Sequence, residues 1–430
     1  MQPLMQPDLR TPSAERGAPS ALCPRRSALR ARRSAQLQRL AISLWATILI
    51  VICIRGLLSP QRNSVYPIFA GAARNFLAEI DLYAASAGPY RYSPLVAALL
   101  LPFGLCPDNI GGVLWRLLNA AVYLGSLAWW CRDVLPRSLS ASQRAALYLL
   151  IVPLSVGSLN NGQSNALVLG LLLAGTTAVA RQYWNLASGC LALACLFKLY
   201  PVSVGLLLAI VYPRRFAGRF LIALAIGLAL PFLFKSPAYV LEQYAGWWRH
   251  LVTDDRQNLP VELWYRDLRL LCRNCYLTLS PMAYQTIQLL TAAALGGICV
   301  WANVARWDRR RLLTLLLALG CCWMTLFGPA TESCTYILLA PTLAWTLLEA
   351  WLQPAPWGLR SALVLSFGLF TVSQAAVWFP GGARQLHTVG LQPLAALLLL
   401  VSVLGMELQA IFAYRAVEIG KRDFRSAQAA

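Results

Sequence analysis

Long apolar runs separated by short polar breaks fill the chain from residue 38 to residue 412. A helix needs roughly 20 apolar residues to cross the hydrocarbon core of a bilayer. Runs shorter than this, such as 93–106 and 145–158, are typical of tilted, broken or re-entrant segments. The pattern predicts an all-α, polytopic transmembrane helix bundle of about ten to twelve spans. The predicted spans are 38–58, 93–106, 111–131, 145–158, 164–180, 188–211, 217–235, 283–302, 312–328, 334–352, 360–378 and 391–412.

The two chain ends differ from this transmembrane domain, residues 38–412. Residues 1–37 are polar and rich in arginine, which predicts a disordered basic cytoplasmic tail. Residues 413–430 are predicted to form a second cytoplasmic tail. Two long loops, 59–92 and 236–282, interrupt the apolar pattern and are predicted to lie outside, where any extracytoplasmic chemistry takes place.

The distribution of arginine and lysine predicts the orientation, because cytoplasmic loops carry an excess of both. Placing the N-terminus inside also puts three other basic clusters inside. These are Arg214, Arg215 and Arg219; Arg306, Arg309, Arg310 and Arg311; and Lys421, Arg422 and Arg425. We therefore expect a multi-pass protein of the inner (cytoplasmic) membrane with both termini cytoplasmic. One loop disagrees, since Arg132, Arg137 and Arg144 fall outside in this count, and a re-entrant segment nearby would change it.

Composition agrees with a membrane protein, since 58% of residues are hydrophobic and 13% charged, against about 25% charged in soluble domains. The net charge of +20 reflects the positive-inside bias, so no nucleic-acid partner is expected. Most of the 12 cysteines lie in apolar runs as small buried side chains. Cys272 and Cys275 form a lone CxxC, which is compatible with a disulfide in an oxidising space. Two histidines and no second cysteine pair predict no metal site.

The first outer loop contains a helical apolar pattern and two carboxylates. Apolar residues recur there at spacings of three and four, which predicts an amphipathic helix lying on the membrane surface. They are Tyr66, Phe69, Ala73, Phe76, Leu77 and Ile80. Glu79 and Asp81 follow it, close in sequence to Arg91 at the mouth of a span. A carboxylate there can accept a proton from a sugar hydroxyl, although a plain interfacial helix with an aromatic belt fits the same residues.

Three polar features interrupt the later spans. Lys198 lies inside an apolar run, where a charge is costly and marks a candidate anchor for a lipid phosphate, or else a snorkelling or structural lysine. Residues 160–165 form a polar turn that the span count places on the cytoplasmic side. Glu332 lies in an outer loop, either paired with an arginine of the first loop or as an ordinary loop acid.

The second outer loop mixes aromatic and polar side chains. This combination suits a sugar or a lipid headgroup, and it also suits simple interfacial anchoring. The residues concerned are Tyr244, Trp247, Trp248, His250, Asp254, Asp255, Gln257 and Asn258.

Several short motifs, taken in order, resemble glycosyltransferase family 87, polytopic GT-C enzymes that include polyprenyl-phosphate-mannose-dependent mannosyltransferases. The resemblance spans about residues 40–410, and the order and spacing of the motifs carry it. The motifs are Val65-Tyr66, Ala72-Ala73, Asp81-Leu82-Tyr83, Tyr90 to Leu95, Pro102-Phe103, Gly162 to Asn165, Lys198 to Pro201, an altered Gln257-Asn258 and Tyr336 to Pro341.

The resemblance implies transfer of a hexose, mannose above all, from a polyprenyl-phosphate donor to a glycan or glycolipid acceptor outside the membrane, with inversion. No cofactor is implied, and dependence on a metal is left open. Lys198 or Arg91 is expected to hold the donor phosphate. The full set of expected donor- and substrate-binding residues is Arg91, Tyr90, Tyr92, Lys198, Tyr200, Glu332, Gln257 and Asn258.

One position departs from the family pattern. The family usually carries an aspartate, thought to be the catalytic base, just before the first-loop Val-Tyr, where this chain has Asn63. A neutral amide cannot act as the base. We predict Asp81, with Glu79 as the second candidate, and another loop acid or a loss of activity as the alternatives.

Two other functions fit parts of the pattern. A secondary transporter would also have twelve spans and a buried lysine, but no clear internal repeat is present and the long outer loops favour an enzyme. An inactive membrane relative would explain the missing aspartate.

Overall fold

The computed structural model describes residues 24–84, 90–254, 256–375, 386 and 388–429, and every regular element in these ranges is helical. The α-helices are α1 Pro24–Leu58, α2 Tyr66–Leu77, α3 Pro94–Leu99, α4 Leu101–Gly104, α5 Asp108–Asp133, α6 Ala141–Leu150, α7 Val152–Asn161, α8 Asn165–Ala180, α9 Trp184–Phe197, α10 Val202–Val211, α11 Gly218–Ala229, α12 Pro237–Thr253, α13 Leu268–Asn274, α14 Pro281–Val304, α15 Arg309–Phe327, α16 Ala340–Leu352, α17 Trp357–Ala375 and α18 Leu391–Ala429. Shorter helical segments are Pro213–Ala217, Leu230–Leu233, Val261–Leu263 and Ser333–Leu339. The predicted all-α polytopic bundle is therefore confirmed.

Proline and small polar residues begin most of the helices. Ser140 accepts a hydrogen bond from the backbone of Gln143, whose side chain returns to the Ser140 N–H, and this capping box begins α6. The Ser280 and Asp308 side chains accept backbone N–H bonds at the starts of α14 and α15 and so cap these helices. Proline in the first turn needs no hydrogen-bonded N–H there, and α3, α4, α7, α12 and α14 all start this way.

Within the described part of the chain, seven helices are long and apolar enough to cross a membrane, or eight when the pair α6 and α7, bent by 52°, counts as one span. Three shorter apolar helices, α8, α9 and α10, pack among them. Residues of α8 are almost entirely buried between α5, α9 and the segment Ser333–Leu339. The Leu167 N–H near the start of α8 donates to Asn119 of α5, so a helix end inside the bundle has its hydrogen bond.

Contacts between distant residues define two ends of the bundle. At one, here called the lower end, Arg181 pairs with Asp133 and Arg311 with Glu407. Trp184 at the start of α9 also contacts Tyr212, which follows α10. At the other, here called the upper end, Tyr200 reaches Asn165, Gln163 reaches Glu332, and Gln374 reaches Ser333. The described chain consequently passes between the two ends twelve times, in α1, α5, α6 with α7, α8, α9, α10, Pro213–Leu233, α14, α15, α16, α17 and α18.

Two of the predicted spans differ from these passages. Residues 93–106 do not form a span, because they fold into α3 and α4, helices of 6 and 4 residues that lie at the upper end. Residues 188–211 form two passages, because the helix stops at Lys198, whose backbone is extended, and restarts after Pro201. Proline at this point prevents the preceding residues from continuing the helix.

These two changes remove a conflict in the predicted orientation. Arg137 and Arg144 now lie at the lower end, together with Arg215 and Arg311, so the basic loops agree with one another. Residues 160–165 lie at the upper end, beside Glu332. Their predicted placement on the opposite side from Glu332 is wrong, because the span count included 93–106.

The remaining predictions on local structure have mixed outcomes. The first-loop helix is confirmed as α2, with Tyr66, Phe69, Ala73 and Phe76 buried. Leu77 and Ile80 are instead exposed, Ile80 follows the end of the helix, and the position of the helix on the membrane surface stays a prediction. Residues 24–37 and 413–429, assigned to the two tails, continue α1 and α18, because both segments are rich in alanine, arginine and other helix formers. Cys272 and Cys275 are free thiols. Residues 1–23, Pro89, Asp255, residues 376–378, His387 and Ala430 lie outside the described residues.

Candidate active site

A cavity of about 590 Å³ opens at the upper end of the bundle. Its walls come from the start of α2, the strand-like segment before α3, the break between α9 and α10, the second outer loop and the loop after α15. Four cationic and three acidic side chains line it. They are Arg91, Lys198, Arg256 and Arg269, with Asp254, Asp267 and Glu332.

Lys198 lies in the break between α9 and α10 and faces this cavity. Its Nζ lies 5.8 Å from the ring centre of Tyr92 and 5.6 Å from that of Tyr200, distances at which a cation is attracted to an aromatic face. Among the described residues, no carboxylate lies within 4.0 Å of this ammonium. The charge is thus held in place by rings and left available to an anion.

Glu332 also lines the cavity. Its Oε2 accepts a hydrogen bond from Gln163 Nε2 at 2.9 Å, and its Oε1 lies 3.3 Å from Arg256 Nη2. The Glu332 side chain remains 43% exposed to the cavity. The pairing predicted with an arginine of the first loop is wrong, because the second loop folds Arg256 over the ring of Tyr265 and towards Glu332.

A buried chain of hydrogen bonds joins Glu332 to Tyr200, which lies beside Lys198. The Tyr200 hydroxyl donates to Asn165 Oδ1 at 2.9 Å, and Asn165 Nδ2 donates to Gln163 Oε1 at 2.5 Å. Gln163 then donates to Glu332. The polar turn at 160–165 therefore positions Glu332 relative to the segment that carries Lys198.

Arg91 is held by the second outer loop. Its Nη1 donates to Asp254 Oδ2 at 2.8 Å and to the Tyr265 hydroxyl at 2.7 Å, while that hydroxyl donates to the same Asp254 oxygen at 2.6 Å. Trp247 Nε1 donates to the Arg91 carbonyl at 3.3 Å, which fixes one edge of its ring against the cavity. Burial raises the pKa of Tyr265, so this hydroxyl stays protonated and donates to Asp254.

Asp267 is the most deeply buried carboxylate of the cavity. Burial raises its pKa to about 6, although the hydrogen bond from the Leu270 N–H and the charge of Arg269 act in the opposite direction. Asp267 caps α13 through that N–H, at 3.3 Å, and the Tyr284 hydroxyl lies 3.4 Å away. Four further residues that line the cavity were not predicted from the sequence: Asp267, Tyr265, Arg256 and Arg269. No sequence signal distinguished them, because charged residues are ordinary in a polar outer loop.

The structure brings together six of the expected binding residues. Arg91, Tyr92, Lys198, Tyr200, Gln257 and Glu332 line the cavity. Tyr90 and Asn258 do not. Tyr90 is buried behind the cavity wall, where its hydroxyl donates to the Ser93 carbonyl, and Asn258 is exposed at the surface.

The structure does not bring the two predicted catalytic carboxylates into the cavity. Asp81 is exposed, and its Oδ1 accepts a hydrogen bond from the Tyr83 N–H at 3.0 Å. Glu79 is exposed in a left-handed conformation, with φ at 55°, and lies 3.5 Å from Lys235 Nζ. Asn63 is also exposed, with φ at 52°. The catalytic role of Asp81 or Glu79 stays a prediction.

The cavity combines carboxylates with basic groups, and no group of three or more His, Cys, Asp or Glu residues in the described ranges could hold a metal ion. A phosphate is the ligand that such a basic, aromatic-lined site suits best. A carboxylate in the same cavity as these basic groups, such as Glu332, suits proton removal from a hydroxyl.

The sequence profile of glycosyltransferase family 87 matches residues 90–329, which is more than half of the 430-residue chain. The protein belongs to glycosyltransferase family 87. It is therefore a multi-pass membrane protein of a glycosyltransferase family. No curated protein matches the sequence. The matched part contains Arg91, Lys198 and Asp267, begins after Asn63, Glu79 and Asp81, and ends just before Glu332.

Proposed function

We propose that this protein transfers a hexose, in the first instance mannose, from a polyprenyl-phosphate donor to a glycan or glycolipid acceptor, as a GT-C type enzyme. The observation that carries the proposal is Lys198, a cation without an acidic partner within 4.0 Å in the described chain, at the wall of a 590 Å³ cavity. A buried charge is costly without a partner, and a phosphate supplies one.

The neighbourhood of Lys198 supports a lipid-borne phosphate. Leu199 lines the same cavity and is 43% exposed at the bundle surface, so a prenyl chain can lie against it while the phosphate contacts Lys198. Arg91 also lines the cavity and is a second candidate for the phosphate, although it already pairs with Asp254. A fixed aromatic edge at Trp247 and the amides of Gln257 and Gln288 suit a sugar ring.

Glu332 is our proposed base. In a single displacement, the acceptor hydroxyl oxygen attacks the anomeric carbon while its proton passes to the Glu332 carboxylate. The bond between the anomeric carbon and the phosphate oxygen breaks, and its electron pair leaves with polyprenyl phosphate. This gives inversion without a covalent intermediate. Asp254 serves less well as a base, because its contact with Arg91 at 2.8 Å is shorter than that of Glu332 with Arg256 at 3.3 Å, and its side chain is less exposed, at 22% against 43%.

The proposed orientation places the cavity on the extracytoplasmic side of the inner (cytoplasmic) membrane. Support comes from the basic loops that contain Arg137, Arg215 and Arg311 at the lower end, since such loops stay in the cytoplasm. Both termini then lie in the cytoplasm.

The test is transfer by the purified protein in lipid nanodiscs supplied with radiolabelled polyprenyl-phosphate mannose and a panel of glycolipid acceptors. We expect the labelled sugar to pass from the lipid to an acceptor, in a glycosidic linkage whose anomeric configuration is inverted relative to the donor. No transfer from any polyprenyl-phosphate sugar, together with solute counterflow in proteoliposomes, would instead support a transporter.

The base is tested by Glu332→Gln, which keeps the shape and a hydrogen-bonding oxygen but cannot take a proton. We expect the turnover rate to fall by roughly 10²- to 10⁴-fold, the usual contribution of a general base. The exposed Glu242→Gln on α12 is the matched control. If Asp81→Asn abolishes transfer while Glu332→Gln retains it, the base is Asp81 and our assignment is wrong.

A further inference from the structure

We propose that the upper end carries a second phosphate-binding site, between the end of α1 and the start of α5, that binds the phosphate of an anionic lipid headgroup. A cavity of about 220 Å³ lies there, and three arginines line it: Arg55, Arg62 and Arg116. The other described lining residues include no acid. Three cationic groups around one small cavity create a strong attraction for an anion.

Arg116 shows that this positive charge lies inside the protein. Arg116 is only 4% exposed and lies on the third turn of α5. Its guanidinium donates to the carbonyls of Gly112 and Asn160 and to the hydroxyl of Ser64, all of which are neutral. Among the described residues no carboxylate lies within 4.0 Å of it. Hydrogen bonds to neutral groups orient the guanidinium but leave its charge uncompensated.

The second site is separate from the cavity that contains Lys198. No described residue lines both cavities. The turn after α7 forms the partition: Asn160 faces the arginines, and Gln163 faces Glu332. Gly162 lies between them, where its carbonyl accepts from Trp115 Nε1 at 2.8 Å. A phosphate bound to Arg116 is therefore a different ligand group from the one proposed at Lys198.

The size and position of the site indicate the ligand. Guanidinium groups bind phosphate oxygens in pairs, and several of them together select phosphate over a carboxylate. A volume of 220 Å³ is below the roughly 300–1,000 Å³ typical of small-molecule sites, which suits a headgroup phosphate better than a whole sugar phosphate. Leu58, 78% exposed at the end of α1, also lines the site and offers an apolar path to the bilayer. Free phosphate is the other source of the same chemistry.

The experiment measures the thermal stability of the full-length protein in nanodiscs of phosphatidylcholine alone or with increasing phosphatidylglycerol. The variant Arg55→Gln/Arg62→Gln removes two charges and leaves the buried Arg116 in place. The control Arg249→Gln/Arg273→Gln removes two exposed arginines that lie in the second outer loop and line neither cavity. A parallel titration uses inorganic phosphate at constant ionic strength.

We expect phosphatidylglycerol to stabilise the wild type and the control alike, and its half-saturating fraction to rise at least tenfold in Arg55→Gln/Arg62→Gln. Stabilisation by inorganic phosphate with the same dependence on the variants supports a site that accepts free phosphate as well. Equal responses of the wild type and Arg55→Gln/Arg62→Gln to both ligands overturn the proposal. An equal loss in the control overturns it too, since the effect is then one of surface charge. The result is independent of transferase activity.

Discussion

Gln163 donates a hydrogen bond from Nε2 to Oε2 of Glu332 over 2.9 Å, although 169 positions separate the two residues in sequence. The bond ties the polar turn after α7 to the loop after α15. It requires both segments to lie at the same end of the bundle, so the chain must pass between the two ends an even number of times from Gln163 to Glu332. Gln163 is in turn hydrogen-bonded to Asn165, and Asn165 to Tyr200, so this chain of side chains fixes the position of Glu332 relative to Tyr200.

The revised order of passages predicts which loops face the same side of the membrane. In a background without the 12 natural cysteines, we expect Arg249→Cys to react with a membrane-impermeant maleimide on intact cells. Arg137→Cys, in an exposed loop at the lower end, should react only after permeabilisation. Labelling of Arg137→Cys on intact cells would restore the original span count, in which 93–106 crosses the membrane. Arg306→Cys is the control for the lower end, since both counts place it inside.

Much of the fold follows from apolar run length, but the sequence does not show where a run breaks. The run at 188–211 contains enough apolar residues for one span, and only the pairing of Tyr200 with Asn165 reveals that the chain turns back at Lys198. The run at 93–106 is apolar without spanning the bundle, because α3 is buried against α2 and α4 packs on the same helix. Hydropathy reports burial in protein and burial in lipid alike.

The candidate site could be predicted only in part for a related reason. Lys198, Arg91 and Glu332 stood out because charge at the edge of an apolar run is costly. Asp267 and Arg256 lie in a polar loop, where charge is ordinary and carries no signal. Only the fold of that loop over the cavity distinguishes them from Asp81, whose sequence context is similar but whose side chain faces solvent.

Lys198→Met should weaken donor binding, because it removes the charge and keeps an apolar side chain of similar length. We expect the KM for the polyprenyl-phosphate donor to rise roughly 10- to 100-fold, the size of one lost hydrogen bond to a charged group. The KM for the acceptor should change much less. Initial-rate kinetics with each substrate varied in turn provide the measurement.

Lys235→Met is the matched control, since Lys235 lies at the same end of the bundle but contacts the Leu77 carbonyl and Glu79 instead of the cavity. Its donor KM should match the wild type. Equal increases in the two variants would show that general positive charge, rather than Lys198, attracts the donor.

Asp267 should make stability depend on pH. Burial raises its pKa from 3.8 to about 6, so folding favours the protonated form. Its stabilising contribution is fully present below the unfolded pKa and is lost as the pH rises through the folded one. The difference between these two pKa values corresponds to a loss of about 3 kcal/mol in the free energy of unfolding between pH 4 and pH 7. Asp267→Asn keeps an N-capping oxygen for Leu270 and should abolish this decline.

Thermal unfolding of both proteins in detergent at several pH values between 4 and 7 checks this. The wild type should lose stability relative to Asp267→Asn as the pH rises. Asp308→Asn, at the exposed cap of α15, controls for replacing an aspartate at a helix start. Parallel curves for the wild type and Asp267→Asn would mean that Asp267 does not titrate in this range.

Gly162→Ala should disturb the partition between the two cavities. Gly162 has φ at +71°, a left-handed conformation that costs an alanine roughly 1–2 kcal/mol, and an added Cβ would lie 3.3 Å from Arg116 Cζ. We expect the free energy of unfolding to fall by at least that amount, and turnover to fall further because Gln163 no longer orients Glu332. Gly189→Ala in α9 is the control: a Cβ there meets nothing within 4 Å, so alanine should stabilise the helix by roughly 0.5–1 kcal/mol. Loss of stability in Gly162→Ala with unchanged turnover would contradict a catalytic role for this turn. Arg256 alone would then be sufficient to position Glu332.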